Sequence, residues 1–447
     1  EPYEGYPAQK AGLLAGDVIL EVNGVSAEGK STEEISRMLK GEPGTELTLK
    51  IKRGEEIKEF TLTREKIKID DVPYFGKIDE ETGYVKLTSF TETAADQVKD
   101  AFRKMKEEGI KKIVFDLRDN GGGLLNQAIE IVNIFVEKGQ EVVRTKGKQS
   151  QWDKIYYTKN TPLDTGIPLV VLINENSASA SEIVSGTMQD LDRGVLVGRK
   201  SYGKGLVQQT IPLSYNAQLK ITVAKYYTPS GRCIQKLDYS HKDESGRATE
   251  IPDSLIQVFY TKNGREVRDG EGITPDIEVT PEESHEILLV LMSNYKIFDF
   301  ATKYRLEHDS IPAPEEFHLT NEEYEQFVDF VYSGDSLEYE IESERVIKDL
   351  EKVLELEEFE GLEKDIEAIK TKIDSLKRQD IYRYRKEVQE VLENEIVSRY
   401  YYQKGRIRHA LTNDPDIKQS LEILNDSVMY HNILTGKYPA KHTEDKK

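Results

Sequence analysis

A run of small residues, Asn174-Glu175-Asn176-Ser177-Ala178-Ser179-Ala180-Ser181-Glu182, follows the apolar stretch 168–173, and Gly203-Lys204-Gly205 comes 25 residues after Ser179. A serine hydroxyl is a weak nucleophile until a neighbouring base takes its proton. An amine can be that base only in its neutral form, which burial favours. Lys204, on a tight, glycine-lined strand, is the candidate base. The pair points to acyl transfer through a serine–lysine dyad.

Three serines compete for the nucleophile role. Ser177 and Ser181 fit turns or helix caps, because serine oxygens accept hydrogen bonds from helix N-terminal N–H groups. Ser179 lies between them at the expected strand-to-helix turn, where the Ala180 N–H could face a developing oxyanion. Gln208 falls on the Lys204 side of a strand by period-two alternation, and its amide oxygen could orient the amine. A histidine triad is disfavoured, since residues 1–240 hold no histidine and His241 stands in a polar loop.

Two glycine-rich segments need weighing. Asp116-Leu117-Arg118-Asp119-Asn120-Gly121-Gly122-Gly123 ends an apolar strand. Its glycines suit an oxyanion hole or a phosphate at a helix N-terminus. Asp116 and Arg118 are read as a buried ion pair that braces the loop. Residues 198–204 fit the first seven positions of a P-loop, but Gly205 stands where Ser or Thr should hold magnesium, and a strand follows instead of a helix. A nucleotide triphosphatase is therefore rejected.

The elements that must position these residues alternate along the chain. Strands near 83–87, 112–118, 168–173, 195–198, 206–212 and 218–227 intersperse with helices near 94–108, 124–136 and 179–191, which argues an α/β core. Residues 1–64 read as a small α+β module. From about residue 281 the pattern turns helical and charged, and Leu362, Ile366, Ile369, Ile373 and Leu376 form a stripe expected to pack on another helix of the same chain. The net charge of −20 makes nucleic acid and anionic membranes poor partners. Cys233 is the only cysteine, so no intramolecular disulfide or thiolate cluster forms. No apolar run approaches the roughly 18–20 residues that span a bilayer. The chain opens at Glu1 without methionine, so an upstream segment is expected, one that could hold a signal peptide or an anchor.

Taken in order, these segments resemble the carboxyl-terminal processing (tail-specific) proteases, a serine–lysine peptidase family bearing a PDZ domain. The resemblance rests on Ala11-Gly12-Leu13 with Gly16-Asp17-Val18-Ile19, on residues 83–90, on 116–123 and on Ser177-Ala178-Ser179-Ala180-Ser181-Glu182. It extends through Gly203-Lys204-Gly205-Leu206-Val207-Gln208, residues 227–232 and Gly272-Ile273-Thr274-Pro275-Asp276. It implies a partial PDZ domain over 1–64 without its leading strands, a crotonase/Clp-protease-like core over 65–281 and a mostly helical domain over 282–447. It further implies Ser179 as nucleophile, Lys204 as general base, Gln208 as its positioner, and an oxyanion hole from the N–H groups of Ala180 and Gly122. Gly121 stands where the family often carries proline.

The expected activity is ATP-independent endoproteolysis of proteins with apolar C-termini, outside the cytoplasm in the periplasm or cell envelope, with no cofactor and no metal. Activity should fall at low pH as Lys204 is protonated. The helical region is expected to serve a homodimer, a partner or the shielding of the site. The competing readings are a crotonase-type acyl-transfer enzyme and a latent PDZ-bearing scaffold.

Overall fold

The computed structural model describes residues 1–280, 284–333, 341–357 and 361–438. The chain divides into two units, residues 1–68 with 282–412, and 69–281 with 413–447.

In the first unit, helices α1 (Pro7–Lys10) and α2 (Thr32–Leu39) accompany a sheet of β1 (Val18–Val22), β2 (Val25–Ser26), β3 (Glu46–Arg53) and β4 (Glu56–Thr63), in the order β2-β1-β3-β4. Alternation along β3 puts Leu47, Leu49 and Ile51 inside, where they meet Leu13, Val22 and Leu62. Ser31 and Glu34 cap α2 reciprocally, the Ser31 N–H donating to Glu34 Oε2 at 2.8 Å and the Glu34 N–H to Ser31 Oγ at 3.3 Å.

The second unit begins with β5 (Tyr74–Lys77), β6 (Thr82–Lys86), α3 (Ala94–Glu107), β7 (Lys112–Asp116), α4 (Leu125–Phe135), β8 (Glu141–Gly147) and β9 (Lys154–Tyr157). It continues with β10 (Leu169–Ile173), α5 (Ala180–Asp190), β11 (Val195–Gly198), β12 (Leu206–Pro212) and β13 (Gln218–Tyr227). Two hairpins, β14 (Leu237–Lys242) with β15 (Ala248–Glu250) and β16 (Val258–Tyr260) with β17 (Glu266–Arg268), precede β18 (Ile277–Glu278). His241 is exposed on the first hairpin, on a strand where a loop was expected.

The central sheet runs β18-β11-β10-β7-β6-β5 and is parallel except at the β5 edge. A parallel strand covered on both faces must be apolar throughout, and all five residues of β10, Leu-Val-Val-Leu-Ile, are buried. Helix α3 packs by its period, burying Ala94, Val98, Ala101, Phe102 and Met105. Leu172 pairs with Asp116 and Ile173 with Gly198, so the C-terminal ends of β7, β10 and β11 lie at one edge. The loops 117–124, 174–179 and 199–205 all leave from that edge, the usual place for a site on a parallel sheet. A second, antiparallel sheet, β12-β13-β8-β9, flanks the core.

Seven helices return to the first unit: α6 (Glu286–Ser293), α7 (Lys296–Glu307), α8 (Asn321–Tyr332), α9 (Glu342–Leu356), α10 (Glu363–Lys377), α11 (Asp380–Arg383) and α12 (Arg385–Leu411). They enclose Leu291, Phe300, Tyr324, Phe327, Leu392 and Ile396. Ion pairs Lys370–Glu351 (2.7 Å) and Lys377–Glu344 (2.9 Å) set α10 antiparallel to α9. The expected stripe on α10 is only partly covered: Ile366 is buried, whereas Leu362, Ile369 and Leu376 are 40–49% exposed.

The last helices, α13 (Pro415–Asn425) and α14 (Ser427–Leu434), belong to the second unit. There Tyr430 Oη accepts from the Leu169 N–H at 2.9 Å, and Asn425 Oδ1 accepts from Lys112 Nζ at 2.7 Å.

Candidate active site

The three serines have different fates. Ser177 is buried, donates to Leu117 O at 2.8 Å and accepts the Asn174 N–H at 2.9 Å. Ser181, also buried, donates to Asn120 O at 2.8 Å. Both therefore fasten the β10–α5 turn to the glycine loop. Ser179 is half-buried, makes no side-chain cap hydrogen bond, and donates to no acceptor among the described residues. Its φ of 57° and ψ of −110° are unusual for a non-glycine residue, and such backbone persists only where its surroundings impose it. A strained strand-to-helix turn of this kind presents a nucleophile at the head of a helix.

The restraint on that turn is Glu182. Fully buried one turn into α5, its Oε2 accepts from the N–H groups of Ser179 and Lys204, both at 2.8 Å. Its Oε1 accepts from Ser201 Oγ at 2.6 Å and the Gly203 N–H at 2.7 Å. One carboxylate thus anchors the backbone of the candidate nucleophile and of the candidate base on a single oxygen. Burial pushes the Glu182 pKa up, and the hydrogen bonds it receives pull it back only in part. Its position three residues after Ser179 reads in sequence as a helix cap, which conceals its reach to residues 201–204.

Lys204 itself is half-buried in the connection that precedes β12, not on the strand expected for it. Its loop is fastened on several sides. The Tyr202 N–H donates to Ser177 O and the Lys236 N–H to Gly203 O, both at 3.0 Å, while the Gly205 N–H donates to Gln235 Oε1 at 2.9 Å. Both flanking glycines are required by close approach: a Cβ on Gly203 would stand 2.4 Å from Lys236 Cβ, and one on Gly205 2.6 Å from the Gln235 nitrogen. Gln208 is exposed, and no side-chain hydrogen bond fixes it among the described residues. β12 begins only at Leu206, so the strand alternation that aligned Gln208 with Lys204 does not extend to the lysine.

The glycine loop lies against the serine turn. A Cβ added to Gly122 (φ +95°) would meet Ala178 O at 2.6 Å, and the Ala180 nitrogen and Ser179 Cβ at 2.8 Å. The Ala180 N–H heads α5, where no intrahelical acceptor exists. The Gly122 N–H, by contrast, donates to Asn120 Oδ1 at 2.9 Å. Of the two candidate oxyanion donors, one is open and the other engaged.

Asp116 and Arg118 brace this loop. Arg118 donates to both Asp116 oxygens, at 3.1 and 2.8 Å, and reaches Asp414 at 2.8 Å and Asp416 at 2.9 Å at the start of α13. Tyr84 Oη donates to Asp116 at 2.6 Å. Burial alone would raise the Asp116 pKa, but the charges of Arg118 and Lys86 and the hydrogen bonds from Arg118 and Tyr84 hold it well below the usual carboxylate range. Among the described residues, side chains grouped with metal-ligand geometry lie elsewhere, at His318, Glu393 and His409.

Separate parts of the chain are similar to known families and proteins. Residues 81–240 match the model of "Peptidase family S41", residues 1–53 a "PDZ domain", and residues 287–424 the "Probable PDZ-protease, C-terminal helical domain". A "Probable CtpA-like serine protease" of Staphylococcus aureus is 39% identical over 236 residues, 52% of this chain and 47% of that protein. The "Carboxy-terminal-processing protease" of Bartonella bacilliformis is 41% identical over 240 residues, 52% of this chain and 55% of that one. The chain thus spans about half the length of these curated relatives. A solved photosystem II D1 C-terminal processing protease covers 63% of this chain and 67% of its own at 29% identity, with a TM-score of 0.37.

Proposed function

We propose that this chain, which carries a peptidase family S41 domain between a PDZ domain and a PDZ-protease helical domain, is an ATP-independent serine endopeptidase working through Ser179 and Lys204. The observation that carries the reading is the contrast among the serines. Ser177 and Ser181 spend their protons on backbone carbonyls, whereas Ser179 keeps its own at a strained turn that Glu182 joins to the backbone of Lys204.

In this mechanism neutral Lys204 takes the Ser179 proton as Oγ attacks a peptide carbonyl. The Ala180 N–H stabilises the oxyanion, and the Gly122 N–H joins it on leaving Asn120 Oδ1. Lys204 then protonates the departing amine. Water hydrolyses the acyl-enzyme with the same lysine as base. Gln208 positions the amine once substrate orders its side chain.

The substrates are proteins with apolar C-terminal tails, recognised with help from the PDZ domain, and the site of action is extracytoplasmic. No helix among the described residues is long and apolar enough to cross a membrane. The exposed apolar residues of α9 and α10, among them Val346, Leu350, Val353, Ile369 and Leu376, are the proposed homodimer surface. The Asn120–Gly122 hydrogen bond is the one observation favouring a latent scaffold.

The test is cleavage of an unfolded protein with an apolar C-terminus by the wild type and by Ser179→Ala and Lys204→Ala. Loss of cleavage in both variants, with folded circular-dichroism spectra, is expected. Cleavage surviving Ser179→Ala refutes the nucleophile, and absence of cleavage in the wild type favours the scaffold.

A further inference from the structure

We propose that the helical domain holds a zinc-type transition-metal ion between His318, Glu393 and His409. The three donors come together only through the fold. Glu393 and His409 both belong to α12, and 16 residues of straight helix would separate them by about 24 Å. The helix leaves helical geometry at Tyr402 (φ 54°, ψ −157°), and the residues beyond turn back along its first part. His409 Nε2 thereby reaches 3.6 Å from Glu393 Oε2, while His318, in the connection before α8, places Nδ1 at 3.2 Å from the same oxygen. One candidate ligand atom from each residue lies within 4.8 Å of the others. Donors held about 2.0–2.2 Å from a tetrahedral zinc ion stand roughly 3.3–3.5 Å apart, and the two separations to Glu393 bracket that spacing.

Two further observations point to a ligand. His409 is only 2% exposed, yet neither of its ring nitrogens has a hydrogen-bond partner. A buried imidazole in that condition is costly unless something else occupies a nitrogen. Glu393, equally buried, is oriented as a metal-binding carboxylate would be. Its Oε1 accepts from Gln389 Nε2 at 2.7 Å and the Leu319 N–H at 2.8 Å, which leaves Oε2 facing the two histidines.

Two imidazoles and a carboxylate suit zinc and neighbouring transition ions better than calcium or magnesium. The His318 side chain is 59% exposed, so a fourth position would open to solvent. A bound ion would fasten the connection before α8 to both arms of the folded α12.

Zinc binding to the full, tag-free chain, measured by competition with a chromophoric chelator, is the test, with cobalt(II) absorption reporting tetrahedral geometry. The expected result is one zinc ion per chain, a tetrahedral cobalt spectrum and a melting temperature that rises with zinc. Loss of a ligand should weaken binding by more than the roughly 10–100-fold that loss of an orienting partner costs. His318→Ala is the primary variant because that side chain is largely exposed and its removal spares the core. Glu393→Gln, nearly isosteric, is the second. Failure of the wild type to compete for zinc would overturn the site, as would binding that both variants retain at wild-type strength.

Discussion

The packing of Gly122 against the serine turn yields a sharp prediction from one added methyl group. In Gly122→Ala the new Cβ would lie 2.6 Å from Ala178 O and 2.8 Å from both the Ala180 nitrogen and Ser179 Cβ. The obstructing atoms are mostly backbone, so no rotamer change relieves them. Relief to ordinary contact requires the loop or the turn to move by roughly 0.6–0.8 Å. The φ of +95° adds strain for any residue with a Cβ, about 1–3 kcal/mol, and overpacking adds about 1–3 kcal/mol more. A displacement near 1 Å at reacting groups costs about 100-fold in rate. Gly122→Ala should therefore lower kcat by about two orders of magnitude and stability by about 2–6 kcal/mol, read from peptide cleavage and from urea denaturation. Gly121→Ala is the matched control. Nothing stands within 4 Å of a Cβ there and its φ is ordinary, so both quantities should stay near wild type. Equal behaviour of the two variants would refute the placement of Gly122 against Ser179.

Glu182→Gln can keep its oxygen toward the N–H groups of Ser179 and Lys204, but its amide nitrogen then faces the Gly203 N–H. A stability loss of about 1–3 kcal/mol is expected, with a lower kcat and little change in KM; wild-type kcat would remove Glu182 from the positioning of the dyad. The depressed pKa of Asp116 means its stabilisation is fully present above the unfolded-state value near 3.9 and is lost as pH falls toward the folded-state value. Asp116→Asn should cost about 3 kcal/mol at pH 7 by removing the two-pronged partner of Arg118 and the charge that faces Lys86, and should flatten the acid limb of a stability–pH curve. An unchanged acid limb would contradict that assignment. Leu350→Glu with Ile369→Glu should convert a dimer to a monomer in light scattering, and a monomeric wild type would refute the proposed surface.

Much of the core was legible because its signals are local. The apolar run of β10, the serine turn after it and the amphipathic α3 each lie within about a dozen residues of chain. What stayed hidden depends on distant partners. Ser177 and Ser181 differ from Ser179 through the carbonyls of Leu117 and Asn120, some 60 residues earlier, and no local pattern encodes that. Glu182 has the spacing of a helix cap and does that work as well, so its second role left no separate trace. The alternation placing Gln208 beside Lys204 assumed one strand through both residues, whereas β12 begins only at Leu206. The grouping of His318, Glu393 and His409 requires the reversal at Tyr402, for which the sequence offers only the single glycine Gly405, where a Cβ would stand 2.1 Å from Tyr401 Cβ. Arg118 was expected to pair with Asp116, but its contacts to Asp414 and Asp416 span nearly 300 residues.

The central claim is that Ser179 is the nucleophile and Lys204 its base. Its most direct test is to quench the enzyme during turnover of an activated peptide ester and locate the acyl group by tandem mass spectrometry. The acyl group is expected on Ser179, absent in Ser179→Ala and much slower to form in Lys204→Ala. Acylation at Ser177 or Ser181, or undiminished acylation in Lys204→Ala, would contradict it.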